Sequence, residues 1–356
     1  MDLTRYTTTT FVKQIVPEAW EKIRSFSRRS HIEDKSIVFS SGTPHPFWVM
    51  VRKEIGDHVR GWRFMVIASL IVFTCLASLY TGVTHLKAAV QARDTDDFFF
   101  LFLFTATDGT VPSYMVFVSF LAPLLGISLG FDAVNSEQNG GRLSRLLAQP
   151  IHRDYVLNAK FVGALLVIGM MLFALAFLVM GAGLLRVGIP PSAEEFWRVV
   201  FFTIISIFYV GFWLNLSILF SVLFRQPATS ALCSIAVWLF FTVFFNLIVN
   251  VVAKASTPSM LASEKQVHAY ERFVFGLTRL APGQVYSDAT TTILVPSVRS
   301  IGPLSMERIQ GAIPGPISLG QSLLVVWPQV TGLIAATILC FGLSYWSFMR
   351  KEIRSR

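Results

Sequence analysis

Six apolar stretches in this chain are each long enough to cross a bilayer: Trp62–Val83, Ser113–Phe131, Phe161–Leu185, Val199–Phe224, Thr229–Val252 and Leu323–Met349. A hydrocarbon core of ~30 Å takes about 20 helical residues at 1.5 Å each. Apart from Arg63 at the start of the first, none of the stretches holds Asp, Glu, Lys, Arg or His. Backbone groups in lipid must be satisfied within the segment, so each stretch is expected to be a helix. The chain therefore reads as an all-α polytopic membrane protein with six transmembrane helices. Composition agrees, since only 14% of residues are charged, against about 25% in soluble domains. A disordered chain, a soluble nucleic-acid-binding domain and a disulfide-stapled secreted module are excluded. Cys75, Cys233 and Cys340 each sit inside an apolar stretch and read as packing residues. Glycines within the stretches, Gly126, Gly130 and Gly163 among them, read as close-packing positions.

An even number of spans returns the chain to the side on which it began. On that side lie 20 of the 30 Lys and Arg residues, and basic residues collect on the cytoplasmic side. Both the N and C termini are therefore expected to be cytoplasmic, and the net charge of +9 reflects topology rather than a nucleic-acid partner. Residues 1–61 are too polar and too long for a signal-peptide n-region, so the first span is expected to be its own uncleaved targeting signal. Phe98–Thr105 is apolar but too short to cross. It reads as a dip into the outer interface or a short re-entrant element.

The organisation that follows has a cytoplasmic N-terminal extension over 1–46 and an amphipathic interfacial helix over 47–61. Spans one to five occupy 62–252, with a cytoplasmic loop over 132–160. An external region over 253–322, the sixth span over 323–349 and a basic cytoplasmic tail over 350–356 complete it. In the interfacial segment Trp48, Val51, Ile55, Val59 and Trp62 recur every three or four residues, with Arg52, Lys53, Asp57 and Arg60 between them. Such a helix suits the headgroup plane; packing on the protein itself is the alternative. Pro17–Arg29 has a weaker pattern of the same kind, with Trp20, Ile23 and Phe26 on one side. In the external region Ser263 and Gln266 form a capping box. Val267, Tyr270, Val274 and Leu277 then share a helical face, with a stop expected at Pro282–Gly283.

Catalytic signals are missing. There is no HExxH, no CxxC and no Gly-Lys dipeptide, hence no P-loop, and the six histidines are scattered outside the spans. The chain reads as no enzyme, with no metal or cofactor of its own. Spans without acidic residues argue against proton coupling, so the energy for uphill transport is expected to enter from a cytoplasmic partner.

The loop Phe131–Lys160 is polar at its start, then places Leu143, Leu146 and Leu147 on one face before Pro150. Here the sequence resembles the permease subunits of ABC-2 type transporters. Glu137, Gly141, Leu143, Leu146, Leu147, Pro150, Ile151, Arg153 and Lys160 stand at the family's spacing, while Arg142 stands where the family commonly has Thr. The helix of Trp48, Arg52, Ile55, Val59 and Trp62 is similar to the family's elbow helix. The stretch from Leu280 to Thr291 is similar to the branches serving nitrous-oxide-reductase maturation and gliding motility. The resemblance covers roughly residues 47–356. It implies a homodimer or heterodimer of permeases on two P-loop ATPase subunits, which carry the ATP and Mg, in a bacterial inner membrane. Residues 137–153 would be the coupling helix, and the direction would be export. The resemblance leaves room for an accessory or substrate-binding protein besides the membrane lipids. Asn215, Asn246 and Asn250 read either as polar residues of a translocation cavity or as hydrogen-bonding glue between helices. Two other readings stand beside this one: a stand-alone secondary transporter or channel, and a membrane scaffold of a maturation complex.

Overall fold

A computed structural model describes residues 45–92, 98–107, 111–148, 152–187, 190–258, 263–296 and 317–351. All regular structure among the described residues is helical. Helix α1 (Pro46–Arg60) begins with proline in its first turn, where the missing N–H costs nothing. It is followed by α2 (Trp62–Ala92), the short α3 (Phe102–Thr105) and α4 (Tyr114–Gly130). Two small helices, α5 (Asn135–Asn139) and α6 (Arg142–Leu147), precede the long α7 (Arg153–Val187) and α8 (Ala193–Leu223). The fifth span is α9 (Pro227–Leu239), a π-helical turn (Phe240–Phe244) and α10 (Phe245–Ala255). The chain continues with α11 (Glu264–Thr278), α12 (Pro282–Leu294) and α13 (Leu319–Arg350).

Six of these segments are long and apolar enough to span a membrane: Trp62–Val83, Tyr114–Asn139, Arg153–Arg186, Ala193–Leu223, Pro227–Ala255 and Leu319–Arg350. They coincide with the six expected from the sequence. Helix α8 is the axis of the bundle and the most buried span, while the fifth and sixth are the least buried. It opens with a capping box, Ser192 against Glu195, and α4, α7, α9, α12 and α13 all pack on it. Contact with α4 is backbone to backbone. A Cβ on Gly126 would meet the Val210 carbonyl at 2.9 Å, and one on Gly130 the Leu214 carbonyl at 2.8 Å. Only a small-xxx-small pair lets two helices approach so closely.

Near the start of α8, Arg198 is fully buried and gathers neighbouring chain ends. It donates to the carbonyls of Ile293 at 2.8 Å and Ile317 at 2.6 Å, to Ser322 Oγ at 3.3 Å and to Glu194 Oε1 at 2.8 Å. Midway along α8, Tyr209 stacks on Tyr286 of α12 at 4.3 Å between centroids.

The structure refines three sequence expectations. Phe98–Thr105 forms a 3-10 turn (Phe99–Leu101) and α3, apart from α4. Its Leu101, Leu103 and Phe104 are buried, so the segment is a wedge within the protein. Helix α11 starts where its capping box was expected, with the Ser263 N–H donating to Gln266 Oε1 at 3.1 Å. That helix ends at Thr278, ahead of the stop expected at Pro282–Gly283, and Pro282 also opens α12, whose Tyr286, Ala289 and Ile293 are fully buried. The expected helix at Pro17–Arg29, and most of the tail over 350–356, lie outside the described residues.

Candidate functional site

The residues that the loop motif singled out meet α1 in a buried ionic joint. Lys160, two turns into α7, is almost wholly enclosed. Its Nζ lies 2.8 Å from Glu137 Oε1 on α5 and 3.2 and 3.3 Å from the two oxygens of Glu54 on α1. Lys53, half exposed, approaches the same carboxylates at 3.1 and 3.6 Å. Burial alone would push the Glu54 carboxyl up, but Lys160 and then Lys53 outweigh it and hold it below its ordinary value. His58, one turn further along α1, is pushed down by burial, with Lys160 adding to the effect against the neighbouring carboxylates. The crossing is close because α7 has no side chain there: a Cβ on Gly163 would lie 2.9 Å from Glu54 Cβ.

Glu54 is the residue that sequence reasoning missed. On α1 the buried positions are Val51 and Glu54, whereas Trp48, Val59 and Trp62 of the expected apolar stripe are exposed, as is Arg52. Ile55 is half-buried. The helix thus turns a carboxylate inward and its tryptophans outward. The available signal was Glu54 three residues after Val51 and four before His58, a helical face of its own.

Around this joint, α5 is tied to several helices at once. The N–H groups of Val134 and Asn135 donate to Ser221 Oγ of α8 at 2.9 and 3.2 Å. Asn139 Nδ2 donates to the Arg225 carbonyl at 2.8 Å, before α9. Asp132 pairs with Arg63 of α2, whose guanidinium lies 5.0 Å over the Phe131 ring. Gly141 then turns the chain with φ 65°, a left-handed conformation that favours glycine. In α6, Leu143 is buried, Leu146 half-buried, and Arg142 and Arg145 point out. Pro150 and Ile151 lie outside the described residues.

Arg153, expected to face a partner, serves the protein's own helix ends. It donates to the Lys351 carbonyl at 3.0 Å and lies 5.6 Å over the Phe348 ring. Lys351 in turn donates from Nζ to the Val222 carbonyl at 2.6 Å. Cations at helix C-termini satisfy orphan carbonyls and oppose the negative end of the dipole.

The three asparagines separate. Asn215 is fully buried and its Nδ2 meets the Thr337 carbonyl at 3.4 Å, joining α8 to α13. Asn246 and Asn250 are exposed on α10, one turn apart. The sequence also spells Gly126-Ile-Ser128-Leu-Gly130, a G-x-S-x-G pattern. It lies inside α4, where the glycines serve packing and Ser128 Oγ donates to the Leu125 carbonyl at 2.9 Å. This is not the strand-to-helix turn of a nucleophile elbow. Among the described residues no three His, Cys, Asp or Glu side chains form a metal-binding group.

The sequence profile of the ABC-2 family transporter proteins matches residues 48–353. The chain is similar to a protein described as probable ABC transporter permease protein NosY from Stutzerimonas stutzeri. It is 29% identical to it over 206 residues, covering 56% of this chain and 68% of the relative. A protein of the same description from Pseudomonas aeruginosa is 33% identical over 116 residues, covering 33% of this chain and 38% of the relative.

Proposed function

We propose, for a chain that belongs to the ABC-2 family of transporter proteins, that this transmembrane subunit is the permease half of an exporter driven by separate ATPases. Two P-loop subunits, holding ATP and Mg, bind at α5 and α6 on the cytoplasmic side, where both termini also lie. The host membrane is a bacterial inner membrane. The observation that carries this reading is the buried joint of Lys160, Glu54 and Glu137. A push on α5 is delivered through it to α7 and α1, and through Ser221, Arg225 and Asp132 to α8, α9 and α2. Interfaces built this way switch as rigid bodies rather than deform.

Arg153 is occupied by α13, which leaves Arg142 and Arg145 of α6 as the charges that face the ATPase. A second permease copy covers the least buried spans, the fifth and sixth. It thereby shields the exposed Asn246 and Asn250 from hydrocarbon, where polar groups are costly.

Purification of the tagged chain in mild detergent, with mass-spectrometric identification of stoichiometric partners, tests the reading. A soluble Walker A protein is expected in a one-to-one ratio, and the double substitution Arg142→Glu with Arg145→Glu is expected to lower its recovery. The chain alone from every detergent, or unchanged recovery of the ATPase with the double variant, refutes it.

A further inference from the structure

Two cavities share Arg279, the residue that caps the C-terminus of α11. One, of about 330 Å³, opens between α11 and α12 and is lined by Glu271, Phe275, Gln284 and Asp288. The other, of about 290 Å³, runs along α13 at Pro328, over Leu280, Val285, Leu333 and Ala336. The first is charged and belongs to helices outside the six spans. The second is apolar and lies against a span.

Arg279 lines both. Its guanidinium lies 3.9 Å over the Phe275 ring. Gln329, its amide turned to donate to the carbonyls of Val325 and Val326, accepts from Arg279 Nη2 at 3.1 Å. The Nε of Arg279 is buried without a hydrogen bond, because the nearest Asp288 oxygen stands 3.9 Å away, beyond bonding range. A buried donor left unpaired is costly, so this group is short of an acceptor.

Each carboxylate beside it has one oxygen without a hydrogen bond among the described residues. Asp288 Oδ1 is held by Gln284 at 2.7 Å, while Oδ2, among the described residues, faces only the distant guanidinium. Burial pushes the Asp288 carboxyl up, more than Gln284 and Arg279 bring it down. Glu271 uses Oε2 on His268 at 3.3 Å. One guanidinium and two carboxylates thus line one cavity, and the apolar cavity along α13 shares that guanidinium.

The geometry points to a binding site for a zwitterionic amphiphile of the aminoalkyl phosphate class. Its anionic group sits on the Arg279 guanidinium, its ammonium lies between Asp288 and Glu271, and its chain follows Leu280, Val285, Leu333 and Ala336. A purely anionic head would meet two carboxylates, and a purely cationic one would meet Arg279. A head carrying both charges on a short arm satisfies all three groups.

The test is native mass spectrometry of the delipidated full-length chain, titrated with phosphatidylethanolamine and with phosphatidylglycerol. Phosphatidylethanolamine is expected to be retained about tenfold better, the scale of one charge-assisted hydrogen bond. Arg279→Met is expected to lose that retention, and Glu271→Gln with Asp288→Asn to erase the preference. Arg279→Lys, which keeps the charge, is expected to keep part of the binding and guards against a folding artefact. Equal retention of the two lipids by the unaltered chain, or retention unchanged in Arg279→Met, overturns the site. In phosphatidylethanolamine vesicles with the whole transporter, retention through ATP turnover identifies a bilayer lipid, and release identifies cargo of the same chemistry. Both sources require the site. No ATPase enters the binding measurement, so its failure is separate from failure of the permease reading.

Discussion

Replacing Lys160 with methionine keeps most of the side-chain volume and removes the charge at the centre of the joint. Glu54 and Glu137 then remain with side chains 10% and 13% exposed and without their principal partner. Breaking a buried ion pair from one side costs roughly 3–5 kcal/mol, because a charge is left uncompensated. Lys53 stays near both carboxylates, and a half-exposed lysine returns about 1 kcal/mol at most. The docking of α1 on α7 should therefore weaken by about 2–4 kcal/mol, or roughly 30- to 1,000-fold in its opening equilibrium. Hydrogen exchange of the α1 amides in detergent reads that equilibrium directly. Protection over Pro46–Arg60 should fall by that factor, while α8 stays protected. The triple variant Lys160→Met, Glu54→Gln and Glu137→Gln should recover most of the loss, since neutralising every member of a buried pair is often tolerated. Unchanged exchange of α1 in Lys160→Met would refute the claim that this cluster clamps the helix.

The same joint makes α1 docking sensitive to acid. Glu54 titrates below its ordinary 4.5 in the folded state, so its contribution is present above that pH and disappears as the pH falls through the depressed value. His58 is likewise held below 6.5, so protonating it also opposes the folded state; thermal midpoints should drop on acidification, and His58→Gln should flatten the part that begins near neutrality. Gly130→Ala places a Cβ 2.8 Å from the Leu214 carbonyl and should cost about 1–3 kcal/mol by forcing α4 from α8. Gly181→Ala, with nothing within 4 Å, should cost nothing, and equal thermal midpoints for the two variants would contradict the backbone contact. Arg198→Met takes this donor from the carbonyls of Ile293 and Ile317 and leaves Glu194 with the Leu319 N–H but no cation; it should lower the yield of monodisperse protein sharply, with Arg198→Lys intermediate in the same chromatographic assay.

Much of this architecture can be read before any coordinates exist, because the physics behind it is local. Uncharged runs of bilayer length give the six spans, and a glycine four residues from another marks a close-packing face on α4, though not its partner α8. The capping box of Ser263 and Gln266 gives the start of α11. What escapes is long-range. Arg153 meets a carbonyl 198 positions away, so nothing near it distinguishes a helix-end cation from a docking one. Pro282 looks like an ending, although proline suits a first turn equally well. Periodicity found α1, but it ranked faces by hydrophobicity, and the face that is buried owes its place to Glu54 and the absent side chain of Gly163. A carboxylate is drawn inward only by a lysine that arrives from a helix a hundred residues later in the sequence.

The bonds from Arg153 to Lys351 and from Lys351 to Val222 remove independent freedom from three helix ends. The first turn of α7 holds the last of α13, and α13 holds the last of α8, so a tilt applied to one is shared by all three. Such a knot works as a common axle. Motion must then be taken up where the links are sparse, and the π-helical turn at Phe240–Phe244 divides the fifth span into α9, which Ser234 bonds to Ser217 of α8, and α10 beyond it.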